Sequence, residues 1–290
     1  MKNLVWLDGR ILPRHRALIP IDDRGLLFGD AAFEALRVYD GMLFAWPAHR
    51  RRLLRTLRLL HFPRLSLDLD TALKDLISAA AIRDAKLRLT ITRGSGENLV
   101  ARPDAVPRVL LVPQPIPPEL ASLRQSGVKA ILLPFGHGER GLVAGLKTTD
   151  YLTAVQGRTL AQRANAFEGI YVEADGSISE GTTSNVFACR GKRVLTPPLA
   201  AGCLPGVTRA LVLQEAKRAG LAVEERPLRA ATLASCDEIF LTGTVIEILP
   251  VTRLGREKVG NGRPGKVTQQ LAARYTRRRL AETARDRRQG

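Results

Sequence analysis

The sequence predicts an α+β fold, and three observations carry that prediction. Alternating apolar and polar residues mark short strands joined by tight glycine-containing turns. Leucines at helical spacing mark amphipathic helices. Strands and helices then follow one another without the regular strand–helix–strand rhythm of a doubly wound sheet, and the phosphate loop GxxxxGK[ST] is absent.

The first element is LVWLDGRIL, two apolar runs around Asp8-Gly9, a dipeptide suited to the two positive φ angles of a type I′ turn. FEALRVYDGMLFAW repeats the device at Asp40-Gly41. HRRRLLRTLRLL places Leu53, Leu54, Leu57 and Leu60 on one helical stripe with arginines opposite, and TALKDLISAAAIRDA reads as a second helix. KLRLTITRG alternates as a strand, with Leu87, Leu89 and Ile91 on one side and Arg88, Thr90 and Thr92 on the other. VPRVLLVPQPIPPEL ends in prolines that cannot continue a sheet. The expected division is therefore a small N-terminal domain over 1–116, a linker over 117–123 and a larger domain over 124–290.

The second region begins with a strand in VKAILLPF and a helix in DYLTAVQGRTLAQRANA. Hairpins follow in GIYVEADGSISEG and NVFACRGKRVLT, then a helix in GVTRALVLQEAKRAG closed by Gly220. EIFLTGTVIEILPV supplies further strands and KVTQQLAARYTRRRLAETARDRRQG a terminal helix.

Composition narrows the class of protein. Hydrophobic residues make up 45% of the 290, enough for a sizeable core. No apolar run reaches membrane-spanning length and MKNLVWLDGRILPRH lacks the apolar stretch of a secretory signal, so a cytoplasmic protein without membrane contact is expected. Cys189, Cys203 and Cys236 cannot all pair with one another and lack metal-ligand spacing, which points to free thiols in a reducing compartment. His15, His49, His61 and His137 are scattered and read as structural, and no metal is expected. A formal net charge of +17 could steer anionic metabolites or nucleic acid. The arginine-rich RRRLLRTLR and RYTRRRLAETARDRRQG interleave no aromatic residue apart from Tyr275, so solvated basic helices are favoured over a nucleic-acid surface. Without G-x-S-x-G a serine hydrolase has no support.

Six segments in order, FGDAAFEALRVYDG, His49-x-x-Arg52-Leu53, LKTTDYL, SEGTTSNVF, TPPLAAGCLPGVTR and DEIFLTGTVIEILPV, span nearly the whole chain. Together they resemble the class IV aminotransferases, the fold-type IV pyridoxal-phosphate enzymes. That family includes branched-chain aminotransferase, D-amino-acid aminotransferase and aminodeoxychorismate lyase. The resemblance implies a two-domain fold, a small α/β domain followed by a larger one with a barrel-like sheet, and a homodimer. It also implies pyridoxal 5′-phosphate as cofactor.

Such a cofactor needs a lysine to hold its aldehyde and shuttle a proton. Taken alone, Lys147 could be a surface lysine; the resemblance makes it the catalytic one. The cofactor's ring nitrogen must stay protonated, so it needs a carboxylate, and Glu180 matches the family glutamate with that role. The phosphate needs an arginine and amide or hydroxyl donors. Arg52 matches the phosphate arginine, Val207 and Thr208 open a helix whose amides suit an anion, and Gly243-Thr244 matches the remaining phosphate contact. Tyr151 resembles the tyrosine that meets the ring hydroxyl.

On the substrate side, Arg88 matches the position at which branched-chain enzymes meet a substrate carboxylate with arginine and the lyase with lysine. Phe28 and Arg102 are further candidates. Asn98 and Val100 stand where D-amino-acid enzymes carry an Arg-x-His pair, and Ala35 where the lyase carries threonine. The reading is a transaminase acting between an amino acid, branched-chain or a related L-amino acid favoured, and a 2-oxo acid. A D-amino-acid transaminase comes second and aminodeoxychorismate lyase third. A basic nucleic-acid-binding protein on an inherited fold is the alternative from another class.

Overall fold

A computed structural model describes residues 1–137 and 141–289. The chain forms two compact units, one of Met1–Ile116, Leu146–Asp150 and Ala281–Gly290, the other of Pro117–Gly145 and Tyr151–Leu280.

In the first unit the elements run β1 (Leu4–Leu7), β2 (Arg10–Pro13), α1 (Arg24–Phe28), β3 (Ala31–Tyr39), β4 (Met42–Leu43), α2 (Trp46–Leu59), α3 (Leu69–Ala79), β5 (Asp84–Thr92) and β6 (Arg108–Gln114). The six strands form one antiparallel sheet in the order β2-β1-β6-β5-β3-β4. Both expected Asp-Gly turns form: φ is 47° and 90° at Asp8-Gly9, and 49° and 83° at Asp40-Gly41. Asp23 caps α1 by accepting from Gly25 N at 2.8 Å, and Asp68 caps α3 by accepting from Asp70 N at 3.0 Å.

The alternation read in β5 is realised. Leu87, Leu89 and Ile91 are fully buried with Ala32, Leu36 and Val38 of β3 against Leu53 and Leu57 of α2 and Leu73 and Leu76 of α3. Each such aliphatic side chain contributes about 1.5–3 kcal/mol of burial. The stripe on α2 differs from expectation. Leu53 and Leu57 are buried, but Leu54 is 43% exposed, and His49, Arg52 and Thr56 share the buried face. A carboxylate on the facing sheet makes room for that basic pair, as described below.

The second unit contains α4 (Leu120–Ser126), β7 (Val128–Leu132), α5 (Leu152–Arg163), β8 (Glu168–Val172), β9 (Ser177–Gly181), β10 (Asn185–Arg190), β11 (Arg193–Thr196), α6 (Val207–Arg218), β12 (Ala222–Glu225), β13 (Leu228–Arg229), α7 (Ala230–Ala234), β14 (Glu238–Gly243), β15 (Glu247–Leu254) and β16 (Glu257–Lys258). Helix α4 begins inside the span read as linker. The strands form one curled, mixed sheet ordered β12-β11-β10-β14-β15-β7-β8-β9-β13, with β16 on β15. The pairs β11/β12, β7/β15 and β7/β8 are parallel. Val186, Ala188, Ile239, Leu241 and Leu249 anchor its core. Helix α5 approaches the β9–β10 turn so closely that a Cβ at Gly157 would lie 2.6 Å from the Thr182 methyl. A last helix, α8 (Lys266–Gln289), ends the described chain.

Candidate active site

In the first unit the sheet register builds a cationic face. Ala32 bridges Thr148, Phe33 N donates to Lys147 O at 2.9 Å and Thr149 N to Ala31 O at 3.0 Å, so the 147–149 segment runs beside the start of β3 as an extra edge. Lys147 therefore lies opposite Phe33. Across β5, Phe33 pairs with Thr90, Ala35 with Arg88 and Arg37 with Lys86. Paired residues share a face, and side chains alternate along a strand. Phe33, Thr90, Arg88, Lys86 and Lys147 thus lie on the face away from α2 and α3.

The side chains meet there. The Lys147 ammonium lies 4.4 Å from the Phe33 ring centroid, and the Arg88 guanidinium lies 3.8 Å from the same centroid. An aromatic face attracts both cations. Arg88 Nε also donates to Thr90 Oγ1 at 3.2 Å. Burial, followed by the charges of Arg88 and Lys147, pushes the half-buried Lys86 ammonium below its ordinary pKa.

On the opposite face of β3, Glu34 is fully buried against α2. Arg52 grips it with two parallel hydrogen bonds, Nε to Oε1 at 2.8 Å and Nη2 to Oε2 at 2.7 Å, while His49 Nδ1 lies 2.8 Å from Oε2. Burial alone would raise the Glu34 carboxyl. The charge and hydrogen bonds of Arg52, joined by His49, overcome it and hold the group down at about 2. Burial pushes the His49 ring below its usual pKa despite Glu34, and the charges of Arg52 and Lys147 act in the same direction. Glu34 and His49 therefore fix the Arg52 guanidinium. Sequence reasoning missed this role for Glu34, and only the helical i, i+3 spacing of His49 and Arg52 hints that they share a face.

In the second unit Glu180 ends β9 and is 7% exposed, not on a solvated hairpin. Its Oε2 accepts from Leu204 N at 3.0 Å and Asn185 Nδ2 at 3.2 Å. Asn185 Nδ2 also donates to Leu204 O at 2.9 Å, tying the start of β10 to the loop before α6. Gly206, the N-cap of α6, sits so close that a Cβ there would lie 2.0 Å from Asn185 Oδ1, so glycine is required by space. Val207 and Thr208 follow as the first helical residues, both buried, where amides lack helical acceptors. The Thr208 hydroxyl hydrogen-bonds Tyr275 of α8, whose phenol is raised by burial.

Gly243 closes β14, and a Cβ on it would come 3.7 Å from Thr183 O, which sets the β9–β10 turn beside it. Thr244 begins the next turn. Arg124 of α4 holds that turn from behind, donating through Nε to Ile246 O at 3.1 Å and Nη2 to Val245 O at 2.7 Å. Glu247 completes it with φ at 57°, a left-handed conformation uncommon for glutamate. The second unit thus gathers Glu180, Val207, Thr208, Gly243 and Thr244 around the β9–β10 turn. Tyr151 is half-buried and takes the N-cap position of α5.

Two substrate candidates stand on exposed parts of the first unit. Phe28 is 40% exposed at the end of α1, with the Arg24 guanidinium 5.1 Å from its ring centroid. Arg102 pairs with Asp104 at 2.9 Å on an exposed loop, beside a cleft of about 480 Å³ that Ser66, Ser95 and Arg108 also line. Among the described residues no group of three metal-ligating side chains occurs.

Comparison with known proteins agrees with the motif reading. The family profile described as amino-transferase class IV matches residues 31–254. A D-alanine aminotransferase of Bacillus licheniformis is 34% identical over 97% of this chain and 98% of its own length. The crystal structure of Escherichia coli branched-chain amino acid aminotransferase superposes with a TM-score of 0.88 at 27% identity, covering 93% of this chain and 92% of that one. A hypothetical aminotransferase of Mycobacterium tuberculosis, in its PLP-bound form, superposes with a TM-score of 0.84 at 26% identity, covering 96% and 99%. The chain belongs to the class IV aminotransferases, whose cofactor is pyridoxal phosphate.

Proposed function

We propose that the chain is a transaminase moving an amino group between a branched-chain or related L-amino acid and a 2-oxo acid. The observation that carries the reading is the pairing of Lys147 and Arg88 on the Phe33 ring, an amine and a carboxylate-binding guanidinium on one sheet face.

The donor set suits pyridoxal phosphate. Glu180 is a buried carboxylate whose Oε2 is held by neutral N–H donors, which do not cancel its charge. The α6 N-terminus, with glycine imposed by Asn185, offers amides to an anion. In this assignment Lys147 holds the cofactor covalently and Glu180 meets its ring nitrogen. Arg52, Val207, Thr208, Gly243 and Thr244 hold the phosphate, and Tyr151 meets the ring hydroxyl. Once bound, the cofactor supplies an electron sink conjugated to the substrate Cα. After the donor amine has displaced it from the cofactor, the freed Lys147 Nζ would accept the proton from Cα and deliver it to the cofactor carbon that Lys147 had held, for which Phe33 gives it an apolar backing. Arg88 orients the substrate carboxylate, and Phe28 and Arg102 are assigned to the mouth of the substrate site.

Exposed Leu18, Ile21, Leu26 and Leu27 form an apolar segment on the first unit, which supports a homodimer. Cys189, Cys203 and Cys236 are free and buried, which supports a reducing compartment such as the cytoplasm; no described helix is long and apolar enough to cross a membrane.

The visible spectrum of the purified protein tests the reading, followed as single L- and D-amino acids are added without acceptor. Bleaching by L-leucine or a related L-amino acid is the expected result. Bleaching by D-alanine alone would favour the second reading, a D-amino-acid transaminase, for which the B. licheniformis relative is the specific support. A band that no amino acid bleaches would favour the lyase, and absence of any band after cofactor is supplied would overturn the assignment.

A further inference from the structure

His137, which the function has not used, stands between two carboxylates behind the site. Its side chain is 7% exposed, and its ring lies against the buried Tyr171 ring of β8 at 3.7 Å between centroids. Nδ1 lies 3.2 Å from Ser179 Oγ and 3.6 Å from Glu173 Oε1. Nε2 lies 3.5 Å from Glu180 Oε1, the oxygen that Leu204 and Asn185 leave to other partners. Ser179 Oγ donates to Glu173 Oε1 at 2.6 Å.

This network assigns the protons. A serine hydroxyl has one hydrogen, and Ser179 gives it to Glu173, so toward His137 it accepts and Nδ1 carries an N–H. A neutral ring would then turn its Nε2 lone pair toward the Glu180 carboxylate. The doubly protonated ring turns an N–H there instead and places one positive charge between Glu173 and Glu180.

We propose that His137 is a positioning residue whose imidazolium keeps Glu180 ionised, so that the proton shared between Glu180 and the cofactor's ring nitrogen stays on the nitrogen. The proposal rests on the cofactor reading above. The charge acts through Glu180: among the described residues the groups facing His137 include Glu173, Ser179, Glu180 and Tyr171, and the Cys203 thiol, raised to about 11 by burial first and then by Glu180, lies beside the carboxylate. Without the imidazolium, Glu180 becomes the more basic partner and takes the proton, and the electron sink weakens.

Two measurements on the full chain test this. Histidine side-chain NMR of the cofactor-free protein at neutral pH is expected to show His137 protonated on both ring nitrogens; a single protonated nitrogen overturns the proposal. In protein loaded with cofactor isotopically labelled at the ring nitrogen, His137→Phe keeps an aromatic ring against Tyr171, and His137→Gln keeps a neutral donor. Both are expected to move the ring-nitrogen signal toward the unprotonated form. Both should lower kcat roughly tenfold while KM for the donor stays within about twofold. Folded, loaded variants with a wild-type nitrogen signal and pH profile would overturn the proposal and leave the transaminase reading standing. A wild-type chain that takes up no cofactor would sink both.

Discussion

Glu34 and Glu180 are two buried carboxylates, each with a histidine beside it, and they are prepared for opposite tasks. Glu34 is clasped by a bidentate arginine, so its charge is neutralised within the first unit and its role is to fix Arg52. Glu180 is held on one oxygen by a backbone amide and a carboxamide, both neutral, and its charge is not cancelled by them. Desolvation penalises both anions, and the partner decides the outcome. A carboxylate saturated by arginine is an anchor, whereas the neutral donors on Glu180 Oε2 leave the charge of that group in place.

The sharpest break in this picture is a substitution at neither carboxylate. Lys147→Ala removes the amine that the cationic face presents, and turnover should fall by about four orders of magnitude or more. Wild-type rates in that variant would show that the Phe33 face is not the reacting one. Glu180→Gln comes next. It keeps shape and removes charge, so kcat should fall roughly 10²–10³-fold with little change in melting temperature. Glu34→Gln should reverse that signature. Buried Arg52 loses its counter-charge and His49 a hydrogen-bond partner, and the expected cost is about 3–5 kcal/mol of stability, read as a lower melting temperature and weaker phosphate retention. If the Glu34 variant lost activity at unchanged stability, the distinction between anchor and reactive carboxylate would fail.

Acid provides a second test of the anchor. The Glu34 carboxyl is held below its ordinary 4.5, so the stability it adds is present above that value and drains away as pH falls toward about 2. The His49 ring is also depressed, from 6.5, so its neutral form favours folding above that pH and is lost below it. Thermal melts from neutral pH down toward about pH 2 should show progressive loss in the wild type and a flatter profile in a variant carrying Glu34→Gln and His49→Gln. Smaller effects belong to the face that carries Phe33, Arg88 and Lys86. Arg88→Leu should raise KM about ten- to a hundredfold, the worth of one charged hydrogen-bond pair. Lys86→Met, beside it, should raise KM only a few fold. Equal KM for wild type and Arg88→Leu would remove Arg88 from the substrate.

The local devices were open to sequence reasoning because they depend on near neighbours. The Asp8-Gly9 and Asp40-Gly41 turns need positive φ at consecutive residues, and the β5 alternation needs only its own pleat. Lys147, Glu180 and Thr208 could be named because each sits in a short contiguous motif. Leu54 was misjudged because a helical stripe counts apolar residues and cannot see a charge on the facing strand. Glu34 lies 18 positions from Arg52, and that distance hid the reason why arginine and histidine belong on the buried face. Arg124 is likewise more than a hundred positions from the carbonyls it holds, with 122 between it and Ile246.

By itself the sequence determined the fold class, the turns, the faces of the strands and, through six ordered motifs, the family. Each follows from local backbone preference or from residues adjacent in the chain. Only the tertiary structure decided which charges are cancelled and which are kept. It set Arg52 on Glu34, drew Lys147 and Arg88 onto one aromatic ring, and placed His137 between Glu173 and Glu180. Electrostatic roles depend on distance and burial in space, and neither is fixed until strands far apart in sequence have paired.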